Sequence, residues 1–138
     1  MKIELTEQQF RYLLDLVYIG NWVINSTREN DRIQEYDQVE SLLFGRAALE
    51  GMPDLAELYQ GEIVPSRAFV EGGIHEAIMD YEDSVFFDIL AEDLARRDMD
   101  DVPIDDSNCE ELNSRIDAYI AEFEEHGTDN LTVDSDIL

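Results

Sequence analysis

Covalent cross-links and positive charge are both scarce in this chain. Of its 138 residues one is cysteine, three are proline and two are histidine, and a single lysine accompanies eight arginines. The lone Cys109 allows neither an intrachain disulfide nor a cysteine-based zinc site, so a reducing, cytoplasmic setting is expected. No apolar run approaches the ~20 residues that a membrane-spanning helix needs. The longest, Leu16 to Ile24, is broken by Gly20 and Asn21, and Met1 to Leu5 mixes base and acid where an export signal would be apolar. Neither export nor a membrane span is therefore expected. Nine Lys and Arg face 34 Asp and Glu, for a formal charge of −25. Nucleic-acid phosphates and anionic lipids are recognised by cations; this chain would repel both, so neither is an expected direct partner.

Apolar side chains are plentiful, at 44% of the sequence with six Phe, six Tyr and one Trp. That supplies the surface a highly charged disordered chain lacks, and the length suits one domain. Thr6 with Gln9 reads as a capping box, with Leu5 placed to staple against Phe10. The helix it opens is apolar nearly all round, as a central buried helix should be, and Asn21 within it is expected to be a hydrogen-bonded structural amide. A second helical pattern runs from about Asp31 to Leu49. Pro53, Leu55, Leu58 and Tyr59 suggest a short helix ending at Gly61, followed by a connector, Ile63-Val64-Pro65, because Pro65 lacks the donor of a central strand.

Gly72-Gly73 opens a long helix reaching about Asp98. Its apolar stripe, Ile74, Ile78, Tyr81, Val85 and Ile89, gives way to Phe86, Phe87, Leu90 and Leu94 on the opposite side, through a change of packing partner or a kink near Ser84. Ser107 with Glu110 reads as the cap of a last helix that Gly127 ends. The expected fold class is all-α: a compact bundle of four main helices plus one short helix over residues 1–127, with an acidic tail at 128–138. Its core is expected to gather Leu13, Val17, Trp22, Ile78, Tyr81, Ile116 and Ile120.

No catalytic constellation emerges. A calcium loop begun at Asp98 would place Val102 at a ligand position, Pro103 at the glycine position and Cys109 at the bidentate twelfth position. His75 and His126 lack a Glu three residues earlier, which excludes the paired Glu-x-x-His of di-iron bundles. Neither a Gly-x-Ser-x-Gly elbow nor a phosphate-binding glycine loop occurs. One enzymatic resemblance exists: Asp80-Tyr81-Glu82-Asp83, followed by Val85-Phe86-Phe87, resembles the second carboxylate pair of the all-α nucleotide pyrophosphohydrolases of the MazG and dUTPase-like type. That resemblance implies magnesium held against a triphosphate. The first pair of that pattern is missing, so no catalytic residue, metal or cofactor is assigned.

Charge is the strongest signal. Residues 1–69 carry 12 acids and 6 bases, whereas residues 70–138 carry 22 acids and 3 bases. On the long helix Glu76, Asp80 and Asp83 recur at i, i+4 and i+7, and Asp100, Asp101, Asp105 and Asp106 cluster in the loop after it. Carboxylates at this density can imitate duplex DNA, which presents one charge per ~1.7 Å of axis. These seven residues are the candidate partner-binding set. The expected function is a non-enzymatic interaction protein that docks onto a basic surface of another protein, including one that binds nucleic acid. In size and charge the chain resembles small anti-CRISPR and anti-restriction inhibitors and helical immunity proteins. The alternatives are the magnesium-dependent pyrophosphohydrolase and a helical protein whose acidity serves solubility or a high-salt interior.

Overall fold

In the computed structural model, which describes residues 1–136, the chain is mostly helical with one small sheet. The order is α1 (Glu7–Asn25), α2 (Gln34–Leu49), a 3₁₀ turn (Pro53–Leu55), β1 (Ala56–Tyr59), β2 (Glu62–Pro65), α3 (Arg67–Phe69), α4 (His75–Asp98) and α5 (Cys109–His126). Two compact units divide the chain at Met79 and Asp80.

In the first unit the Thr6 box forms as the spacing predicts. The Thr6 hydroxyl accepts from the Gln9 amide while the Gln9 side chain accepts from the Thr6 amide, satisfying two donors at the helix start. Leu14, Tyr18, Phe44, Ala47, Phe69 and Ile78 form the core. The Phe44 and Phe69 rings meet edge-on at 4.8 Å between centroids, Tyr18 meets Phe69 at 5.5 Å, and Arg11 lies 4.8 Å over Phe69.

Of the expected short helix only Pro53–Leu55 is helical, as the 3₁₀ turn; its remainder and the connector form an antiparallel hairpin, so the fold is not all-α. Ala56 pairs with Pro65 and Tyr59 with Glu62, around Gln60 at φ 52° and Gly61 at φ 86°. Two consecutive positive φ values make the primed turn that suits the twist of a hairpin. Pro65 is tolerated because both strands are edges. Alternating outward from the Tyr59–Glu62 pair, Pro65 falls at a position whose missing N–H would face away from β1. A wide π-type turn, Val70–Ile74, then delays the start of α4 to His75, with Gly73 at φ 115°, a conformation that side chains resist.

In the second unit Ala91, Ala95, Leu112 and Phe123 are buried, and the Phe87 and Phe123 rings meet at 5.2 Å between centroids, tilted by 33°. The apolar stripe of α4 changes sides because Ile74 and Ile78 serve the first core, whereas Phe87, Leu90, Ala91 and Leu94 belong to the second unit. Tyr81, expected in the core, is 65% exposed just past that division. Leu13, Val17, Trp22, Ile116 and Ile120 are half-buried. Ser107 does not cap α5: its hydroxyl donates to Asp105 Oδ1 at 2.6 Å, and the helix begins two residues later.

Candidate functional site

The seven candidate carboxylates are all exposed. Glu76, Asp80 and Asp83 lie along α4, with the division between the units falling after Met79. The other four have differing roles. Asp100 and Asp101, at φ 56° and 51°, wind the chain off the end of α4, where the Asp101 amide donates to Arg96 O at 2.9 Å and the Asp100 amide to Arg97 O at 3.0 Å. Asp105 folds back on its own loop: its carboxylate accepts from the Ser107 hydroxyl and amide, which hold it below the usual carboxylate range. The Asp106 carboxylate makes no such bond among the described residues. Two of the four thus shape the loop backbone and a third has its carboxylate engaged.

The cations explain why this charge stays uncompensated. Every Lys and Arg already pairs with a carboxylate close in sequence. In the first unit these are Lys2 with Glu4, Arg11 with Asp15, Arg28 with Asp31, Arg32 with Asp37, Arg46 with Glu50 and Arg67 with Glu71. In the second they are Arg96 with Glu92, Arg97 with Asp98 and Arg115 with Glu111. Each pair uses a different acid, so the net −25 resides on carboxylates with no Lys or Arg partner among the described residues. Exposed pairs add little stability, but they leave no Lys or Arg among the described residues unpaired to meet an anionic ligand.

One polar cluster is built into the first unit, and only Asn21 of it is legible from the sequence. The wholly buried Asn25 amide donates to Asn21 Oδ1 at 2.8 Å and to Ile33 O at 3.0 Å, and accepts from the Ile33 amide at 2.9 Å. Asn21 donates to Asp37 Oδ1 at 2.9 Å, and Arg32 grips Asp37 through Nε and an outer nitrogen at 2.6 and 2.7 Å. The Arg32 hydrogen bonds hold the Asp37 carboxyl down. Burial beside this pair pushes Glu40 up to about 7, with the Asp37 charge adding to the rise and Asn21 and Arg32 opposing it. Tyr18 is raised by its own burial and by Glu40, and its hydroxyl meets His75 Nδ1 at 3.1 Å. Among the described residues no buried side-chain polar atom lacks a partner. A satisfied network of this kind fixes the α1–α2 turn.

Because folding favours the protonated form of Glu40, its contribution is full below pH 4.5 and is lost as pH rises toward 7. Glu40→Gln is therefore expected to match wild type in thermal melting at pH 4.5 and to exceed it at pH 8 by about 1–2 kcal/mol, discounted for partial exposure. Equal stability at pH 8 would show that Glu40 is charged at no cost.

An open groove of about 1010 Å³ runs between α2 and the hairpin, lined by Arg32, Asp37, Leu42, Gly45, Arg46, Leu49 and Ile63 among others. Of its charged side chains, Arg32, Asp37 and Arg46 are among the paired ones described above, and Glu62 adds a carboxylate. No group of three or more His, Cys, Asp or Glu among the described residues is arranged to hold a metal ion, and Asp80, Glu82 and Asp83 all face solvent. No helix among the described residues is long and apolar enough to cross a membrane. Comparison with protein-family models, with curated proteins and with solved structures finds no match for this chain.

Proposed function

We propose that the protein is a non-enzymatic acidic docking protein that places the carboxylates of its C-terminal half on a basic surface of another protein, of the kind that grips nucleic-acid phosphates. The pairing of all nine cations supports this most directly. The surplus acid is left unpaired, and an approaching Lys or Arg must displace only water and counterions from it. Within the candidate set, Glu76, Asp80, Asp83 and Asp106 are the carboxylates free to make the contact, because none of them is tied into a hydrogen bond among the described residues. The loop residues Asp100, Asp101 and Asp105 set the path of the chain beside Asp106. The pyrophosphohydrolase reading gains no geometric support from Asp80 and Asp83.

Affinity capture from a host-cell lysate at about 50 mM and about 500 mM salt tests the reading. A basic, nucleic-acid-binding protein retained at low salt and released at high salt is the expected result. Retention only of acidic or neutral proteins, insensitive to salt, would contradict it. A direct check on the alternative is incubation with nucleoside triphosphates and Mg²⁺, for which no turnover is expected. An activity lost in Asp83→Asn would overturn the proposal.

A further inference from the structure

α1 buries one face and leaves the opposite face bare. Leu14, Tyr18, Asn21 and Asn25 point inward, whereas Tyr12, Leu16 and Val23 are 57%, 68% and 61% exposed. Ile19, half-buried and in contact with the first core at the edge of this face, completes a 4-3-4 spacing with them, the seam along which two helices interlock. Scattered exposed apolar residues need no explanation. Three along one stripe of one helix are a different matter, because helices present apolar stripes to partners.

Two further observations identify the partner. The first is charge. From Gln8 to Thr27 the only charged residues are Arg11 and Asp15, and these pair with each other. In a chain of −25 this twenty-residue stretch is net neutral, so two copies could meet here without bringing their acids together. A basic partner would be drawn to the carboxylates, and an anionic membrane would repel the molecule as a whole.

The second is Gly20, in the middle of α1 beside Leu16 and Val23. Glycine in a helix interior is less stable than alanine by about 1 kcal/mol. A Cβ built at Gly20 meets nothing within 4 Å, so packing within the chain does not call for glycine there. Close approach of a second helix does.

We propose that the outer face of α1 is a self-association surface on which a second copy of this chain docks antiparallel. A two-fold axis across the middle of the stripe sets Leu16 against Ile19 of the other copy and Tyr12 against Val23, and it opposes the helix dipoles. Salt has the opposite effect here from that on an acid–base contact. It screens repulsion between the two anionic copies and so strengthens the dimer.

Sedimentation equilibrium over roughly 1 to 500 µM protein, at about 50 and about 500 mM NaCl, tests this. The expected result is reversible growth from the 15.9 kDa chain to twice that mass, with association at least about three-fold tighter at high salt. Gly20→Glu puts a charge on the seam while replacing glycine with a better helix former in open space. It should stay monomeric with an unchanged or higher melting temperature, and Leu16→Glu, at a freely exposed side chain, should repeat the loss. A wild-type protein monomeric throughout, a dimer that weakens with salt, or a dimer that survives in both variants would overturn the proposal.

Discussion

Phe44→Ala is expected to destabilise the first unit by about 3–5 kcal/mol, the range for deleting a buried aromatic ring. Phe44 has no exposed surface and meets Phe69 edge-on at 4.8 Å, so its removal leaves a void and strips the neighbouring ring of its partner. Urea unfolding followed by circular dichroism reads the loss directly, as a lower midpoint with little change of slope. Tyr81→Ala serves as the contrast. That side chain is 65% exposed, and surface substitutions stay within about 0.5 kcal/mol. Equal losses at the two positions would mean that the core is misplaced.

Asn25→Leu should cost about 2–4 kcal/mol although it adds apolar volume. The Asn25 amide makes three hydrogen bonds, accepting one from the Ile33 N–H and donating one to the Ile33 C=O at the entrance to α2. Leucine is close to asparagine in size but can satisfy neither group, and each unpaired polar group in a buried place costs about 1–3 kcal/mol. Hydrogen exchange at the Ile33 amide localises the effect. It should accelerate strongly in the variant, while the Gln9 amide, held by the cap at the far end of α1, should change only with global stability.

These two positions show where the sequence was legible and where it was not. The Thr6 box is a contact between residues three apart, and it formed as read. Asn21 was legible because an amide on an otherwise apolar helix must find a partner. Asn25 was not, because an asparagine before a polar turn reads as a helix end, and its partner Ile33 lies eight residues on across that turn.

Pro65 hides the hairpin in the sequence, because its missing donor excludes a central strand but not an edge. The informative signal is Gln60-Gly61, set between Leu58-Tyr59 and Glu62-Ile63-Val64, which as a primed turn predicts a hairpin and as a helix stop does not. Tyr81 belongs to the core only if one helical period holds along all of α4, whereas α4 serves two cores in turn.

For the candidate carboxylates, helical spacing was enough to foresee that Glu76, Asp80 and Asp83 face solvent. The use of Asp100 and Asp101 as the end of α4 depends on left-handed backbone that acidic composition does not reveal. Pairing of the cations was only partly visible. Arg96 with Glu92 and Arg115 with Glu111 follow from i,i+4 spacing, whereas Arg32 reaches Asp37 only because the α1–α2 turn holds it there.

The central claim is that surplus carboxylate, not apolar surface, makes the contact with a basic partner. Its most direct test is the association rate of the captured partner, measured from about 50 to about 500 mM salt for wild type and for the Glu76→Gln, Asp80→Asn, Asp83→Asn triple variant. The three side chains are exposed, so the variant should melt as wild type does. The predicted result is a wild-type rate that falls at least about ten-fold over this range, and a triple-variant rate that is slower at low salt and converges on wild type at high salt. A rate that is the same for both proteins and flat in salt would contradict the account.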